Sequence, residues 1–245
     1  ELAADLVRLK VDVIVAAVTQ ASLAAKNATG TIPIVMVGVG NPVDSGLIAS
    51  LARPGANITG TSTMLDEVVG KQLELLKETF PKISRVAVMW NPANPVFQKL
   101  LLREVEATAR ALKVRLQILE ARDRDEIERA FKAIAKEGTR ALHVVPDPVF
   151  TTHRGRIADL AVKYRLPAVS GSIELAEAGL LMTYGPNFPA SYRRAATYVD
   201  KILKGTKPAE IPVERPIKFE FVINLATAKQ IGVTIPQSVL YRADK

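Results

Sequence analysis

Residues 32–62, "IPIVMVGVGNPVDSGLIASLARPGANITGTS", decide how this chain folds. The run 33–38 (PIVMVG) is apolar on both faces, which suits a strand whose sheet is covered by helices on each side. A glycine-rich loop follows, and 58–61 (ITGT) reads as the next strand. A loop of this kind behind a strand raises the question of a phosphate cradle. The dinucleotide pattern G-x-G-x-x-G fails because Val43 stands in its sixth position, and Pro42 has no backbone N–H to offer a phosphate. The NTP-binding pattern G-x-x-x-x-G-K-[ST] is absent as well, since Gly70-Lys71 continues with Gln72. Nucleotide cradling is disfavoured.

The same alternation extends outward in both directions. Further strand candidates are 12–17, 85–90, 115–120, 141–145, 167–170, 180–184 and 218–223. Between them lie stripes at helical spacing: Val69, Leu73, Leu76 and Phe80; Ile127, Phe131 and Ile134; Tyr192, Ala195, Val199 and Ile202. The opening residues 1–10 also read as helix, with Leu2, Leu6 and Leu9 apolar. Strand–helix alternation of this sort predicts βαβ units, right-handed crossovers and open parallel sheets, an α/β fold. Thr61, Ser62 and Thr63 break the first series before a second begins, so two lobes are expected.

Composition narrows the function classes. At 48% hydrophobic and 24% charged, the 245 residues belong to a globular protein with a sizeable core. No window reaches the roughly 18 uninterrupted apolar residues of a membrane helix. The formal charge of +8 is spread among acidic residues, as in Arg122-Asp123-Arg124-Asp125-Glu126, and aromatics are only 5%. A nucleic-acid partner is therefore not expected, because single-strand binding wants aromatic platforms beside the charge.

Catalytic and metal chemistry finds little support. There is no cysteine, and the two histidines make no close pair: His143 lies in an apolar strand and His153 in a basic stretch. Asp44-Ser45-Gly46 follows Val43, so no G-x-S-x-G elbow exists. Asp123 and Asp125 begin like a calcium loop but lack its glycine and closing glutamate. Trp90 is read as core. No catalytic residue, metal or cofactor is expected.

What recurs is a set of polar groups where strands end. Thr19 and Gln20 follow the first strand, Asn41 the second and Ser62 the third. Asn91 and Asn94 follow 85–90, Asp147 follows 141–145 and Ser170 ends 167–170. Each alone reads as a turn. Together they suit a ligand cleft, since open α/β sheets bind ligands outside the carboxyl ends of their strands.

Several stretches resemble a known family in order along nearly the entire chain: "ELAADLVRLKVDVIVA", the opening stretch quoted above, "GKQLELLKETFP", "AGLLMTYGPN", "SYRRAATYVDKILKGTKPAEIPVERPIKFEFVINLATAKQIGVTIP" and "ADK". The family is that of the bacterial ABC-transporter substrate-binding proteins of the type I periplasmic-binding fold, in the group that includes tryptophan-binding members. The resemblance implies two Rossmann-like lobes joined by a three-segment hinge near Ser62, Gly185 and Glu214. The first would hold 1–62 plus 187–213, and the second 63–186 plus 214–245. Family members carry a further βαβ segment ahead of "ELAADL", behind a signal peptide. The first lobe is thus expected to lack its opening strand, leaving an exposed sheet edge through which the chain could oligomerise.

The implied activity is capture of an unaltered small solute, an amino acid or related organic molecule, in the cleft between lobes. Closure follows because the solute binds the closed state better, and a membrane permease then receives it. The location implied is periplasmic, with no membrane span of its own. Expected contacts are Thr19, Gln20, Asn41 and Ser62 from the first lobe, and Asn91, Asn94, Asp147, Ser170 and Tyr184 from the second, with Asn187 near the hinge. Where the family commonly has aspartate before Pro42, this chain has Asn41, which removes the charge an ion pair would need there. Asp147, the one carboxylate in the set, is the expected receiver of a ligand ammonium. Two rivals share the scaffold: an effector domain of a transcription regulator, which needs an upstream helix-turn-helix, and a sugar- or nucleotide-modifying enzyme, which needs a catalytic pair.

Overall fold

A computed structural model describes residues 1–216 and 218–244. The expected second-lobe tail, 214–245, and the stretch "ADK" reach Ile217 or Lys245, which lie outside the described residues. In chain order come α1 (Leu2–Arg8), β1 (Ile14–Ala17), α2 (Val18–Ala28), β2 (Ile34–Val39) and β3 (Ile58–Ser62). Next are α3 (Leu65–Thr79), β4 (Arg85–Trp90), α4 (Pro95–Ala111), β5 (Arg115–Glu120), α5 (Arg124–Lys136) and β6 (Leu142–Val144). Then follow α6 (Pro148–Thr152), α7 (Arg154–Lys163), β7 (Ala168–Ser170), α8 (Ile173–Glu177) and β8 (Met182–Pro186). Last are α9 (Phe188–Leu203), β9 (Phe219–Ile223), α10 (Leu225–Ile231) and α11 (Gln237–Leu240). Every expected strand is present.

The chain divides into two compact units, Glu1–Met64 with Asn187–Lys218, and Leu65–Pro186 with Phe219–Lys245. Thr63, Met64 and Glu214 therefore sit with the first unit, whereas the expected boundaries placed them in the second. Backbone pairing explains the difference. The Thr63 N–H donates to the Val39 carbonyl at 2.7 Å, and the Ser62 N–H donates to that of Glu214 at 2.8 Å. The Glu214 N–H in turn donates to the Gly60 carbonyl at 3.1 Å, so Glu214 extends the sheet beside β3. Arg194 clamps the Glu214 carboxylate with two nitrogens and holds it below the usual carboxylate range.

In the first unit β1, β2 and β3 form one parallel sheet in that order. Alternation along β2 sends Ile34 and Met36 to one face, against Ile14, Ala25, Leu47 and Ile58. Val35 and Val37 go to the other, against Ala195, Tyr198 and Ile202 of α9. Both faces are thus covered, which is why the strand tolerates no polar side chain. Tyr198 fills the position that the stripe reading gave to Tyr192, which is 51% exposed. The Tyr198 hydroxyl donates to the Pro212 carbonyl at 3.0 Å, satisfying its buried polar end. Leu2 and Leu6 of α1 and Leu9 just after it are exposed, and β1 pairs only with β2 among the described residues.

The second unit is a six-stranded sheet in the order β5-β4-β6-β7-β8-β9. Five strands are parallel. The last, β9, runs antiparallel to β8, a departure from the wholly parallel sheet expected. The physical reason lies in β9 reaching this sheet after α9 in the first unit, not through a crossover helix of its own. One face carries Val86, Val88 and Trp90 against Val69, Leu73 and Leu76 of α3 and Leu101 and Val105 of α4. The other carries Ala87, Met89, Leu142 and Val144 against Ile127, Phe131 and Ile134 of α5 and Ile157 of α7.

Candidate functional site

Because β1, β2 and β3 run parallel, their carboxyl ends share one edge of the first unit's sheet. Thr19, Gln20, Asn41 and Ser62 gather there, although most are already engaged. The Gly40 N–H donates to Thr19 Oγ1 at 3.4 Å. Ser62 Oγ lies 3.1 Å from the Val39 carbonyl and 3.2 Å from that of Gly40, and accepts the Met64 N–H at 3.1 Å. Asn41 Oδ1 accepts the Asp44 N–H at 3.1 Å, while its Nδ2 donates to Asp44 Oδ2 at 2.9 Å. The glycine-rich loop is thereby folded onto the Asn41 side chain. Gln20 is exposed. Asn187 caps α9, accepting the Ala190 N–H at 2.8 Å.

Two backbone features shape this edge. Gly38, at φ +64°, lets β2 shift register, and its bare Cα lies under the Phe188 ring. Val18, the residue between β1 and Thr19, holds φ +60°, a strained setting for a β-branched side chain. Such strain persists where the surroundings over-determine it, often at ligand clamps.

In the second unit the parallel strands β4, β6, β7 and β8 bring Asn91, Asn94, Asp147, Ser170 and Tyr184 to one edge. Asp147 is the centre. It is 5% exposed, and its Oδ1 accepts Asn91 Nδ2 and the Val149 N–H, each at 3.0 Å. Its Oδ2 accepts Gln98 Nε2 at 3.3 Å and Asn94 Nδ2 at 3.4 Å. All four donors are neutral, and no cation pairs with this carboxylate among the described residues. A buried negative charge held only by amides is chemically ready for a cation, because low dielectric strengthens the attraction. The two bonds at Oδ2 are long and are the ones a cation could replace. Ser170 is used structurally, donating to the Val144 carbonyl at 2.9 Å. Tyr184 packs its ring 5.8 Å from Phe219 and 6.4 Å from Phe221.

The pattern of the family described as ABC transporter substrate binding protein matches residues 1–245. The chain belongs to that family. It is 27% identical over 232 residues to the tyrosine-binding protein of Clostridioides difficile, covering 95% of this chain and 66% of that relative, just under two thirds of its length. A crystal structure of a conserved domain protein from Vibrio cholerae is similar with a TM-score of 0.91 and 28% identity, covering 99% of this chain and 81% of that one. The ABC domain from Streptococcus pneumonia in complex with L-Trp shares the fold at a TM-score of 0.89 and 23% identity, with the same coverages. The type I periplasmic-binding fold follows from these likenesses.

Three further residues of this chain shape the two edges without any local signal of turn chemistry. Gln98 completes the amide set around Asp147 and also bonds the Pro146 carbonyl at 2.8 Å. It lies one turn into α4, and no turn chemistry marks it. Gln72, fully buried on α3, donates from Nε2 to the Tyr184 carbonyl at 2.9 Å. Its Oε1 then faces His143 Nε2 at 2.8 Å, so the imidazole carries its proton on Nε2. A lone glutamine in an apolar stripe was the available signal. Phe188, over Gly38, gives the first unit an aromatic surface at its strand ends.

Burial pushes the His143 imidazole down from 6.5 to about 3, so it is a neutral core residue and not a base. The folded state leaves it uncharged at pH values where the unfolded chain takes up a proton. Its contribution to stability is complete above pH 6.5 and declines as pH falls from 6.5 towards 3, by about 1.4 kcal/mol per pH unit. Urea unfolding of wild type and His143→Gln at near-neutral and mildly acidic pH checks this. The variant should lose that slope, and an identical pH dependence in both proteins rejects a buried neutral imidazole.

Proposed function

We propose that this chain is the solute-capturing component of an ABC importer, taking an amino acid in the periplasm and passing it unaltered to a membrane permease. The strand-end groups of each unit are the candidate contacts for the solute. The observation that carries this reading is the buried Asp147 carboxylate, ringed by Asn91, Asn94 and Gln98 with no cation of its own. It offers a place for a ligand ammonium. The family supports the role, and the tyrosine-binding relative supports an aromatic amino acid as the solute. Phe188 and Tyr184 are aromatic surfaces suited to such a side chain. Among the described residues no helix is long and apolar enough to cross a membrane, and no three His, Asp or Glu side chains converge on a metal site.

The test is titration calorimetry of the full-length protein with L-tyrosine, L-tryptophan and the other amino acids. Saturable binding near micromolar is expected, corresponding to about 8 kcal/mol. The melting temperature should rise with ligand concentration, because a ligand that binds only the folded state stabilises it. A full panel with no saturable binder overturns the proposal.

A further inference from the structure

The second unit has a cavity at the opposite edge of its sheet, where β4, β6 and β7 begin. It is an open depression of about 750 Å³, within the volume range of small-molecule sites. Its apolar lining comes from Phe80, Ile83 and Pro167. Its rim carries Lys82, Arg85 and Arg140 against a single carboxylate, Glu137. That carboxylate is taken up by Arg85, whose guanidinium also bonds the Glu137 carbonyl at 3.3 Å. Lys82 and Arg140 are exposed and have no acidic partner among the described residues.

The walls are fixed in advance. Lys77 Nζ, from the last turn of α3, donates to the Pro81 carbonyl at 2.8 Å and the Ile83 carbonyl at 2.7 Å, pinning the turn that carries Phe80 and Lys82. The Arg85–Glu137 pair ties the start of β4 to the end of α5. None of these residues takes part in the Asp147 cluster.

The geometry points to a second binding site here, for a small organic anion with an apolar body. Its carboxylate pairs with Lys82 and Arg140, and its hydrocarbon covers Phe80, Ile83 and Pro167. Inorganic phosphate would satisfy the cations but leave the apolar lining wet, and an uncharged hydrocarbon would leave the cations unused. Apolar contact and charge pairing together select a molecule carrying both.

Octanoate is the probe, with octanol and inorganic phosphate as comparisons, titrated calorimetrically into the full-length protein. Octanoate should bind saturably, and at least tenfold tighter than either comparison. The double variant Lys82→Glu/Arg140→Glu should bind it at least tenfold more weakly. Both positions are exposed, so its melting temperature should stay within a few degrees of wild type. Three results overturn the proposal: no saturable octanoate binding, equal affinity for octanol, or wild-type affinity in the variant. A Lys82→Gln/Arg140→Gln variant with the same loss confirms that missing attraction, not added repulsion, is responsible.

Discussion

Replacing Asp147 with alanine is expected to weaken an amine-bearing solute by well over tenfold. Removing one member of a desolvated charge pair costs about 2–5 kcal/mol, because the other charge stays buried without its partner. The fold should also lose about 1–3 kcal/mol, since three side-chain amides and the Val149 N–H lose their acceptor. Asp147→Asn separates the two effects. It keeps the shape and removes the charge, so affinity should fall with a smaller change in melting temperature. A tyrosine analogue lacking the amine should bind wild type and Asp147→Asn alike. Calorimetry showing L-tyrosine, or whichever amino acid binds, with equal affinity in both proteins rejects the ammonium role of Asp147.

The second large effect concerns the backbone beneath the same edge. A methyl group on Gly185 would run into the Gly171 carbonyl oxygen, so β8 approaches the segment after β7 more closely than any side chain permits. Gly171 is itself crowded: a methyl there would stand 2.6 Å from Pro146 Cγ and 2.7 Å from Gln72 Nε2. Backbone cannot give way as a flexible side chain can. Gly185→Ala is therefore expected to destabilise the second unit by about 3 kcal/mol, the upper range for overpacking. Urea unfolding measures it. A loss under about 0.5 kcal/mol means that β7 and β8 separate freely and that the close approach has no structural weight.

The fold is largely legible in the sequence, for a reason visible in β2. Ile34 to Val37 must bury both faces, and only helices on both sides of a sheet provide that. Boundaries were harder. Tyr192 and Tyr198 both fall near the apolar stripe of α9, and nothing local says that the hydroxyl reaching the Pro212 carbonyl belongs to Tyr198. Glu214 likewise reads in sequence as the start of a new lobe, and only its backbone pairing beside β3 assigns it to the first unit.

The candidate site was legible as a set of positions but not as a set of roles. Strand-end placement alone put Asn91, Asn94 and Asp147 at one edge, because parallel strands deliver their carboxyl ends together. It could not show that Ser62, Ser170 and Asn41 spend hydrogen bonds on neighbouring strands and loops, nor that Gln98 and Gln72 turn inward.

The order of apolar and polar residues by itself determined the strands, the helices and the edges to which parallel strands deliver their carboxyl ends, since periodicity is a local property. Which polar atom remains for a solute was decided only in three dimensions. Hydrogen-bond partners such as Asn91 and Asp147, 56 residues apart, become known only once the sheet has brought them together.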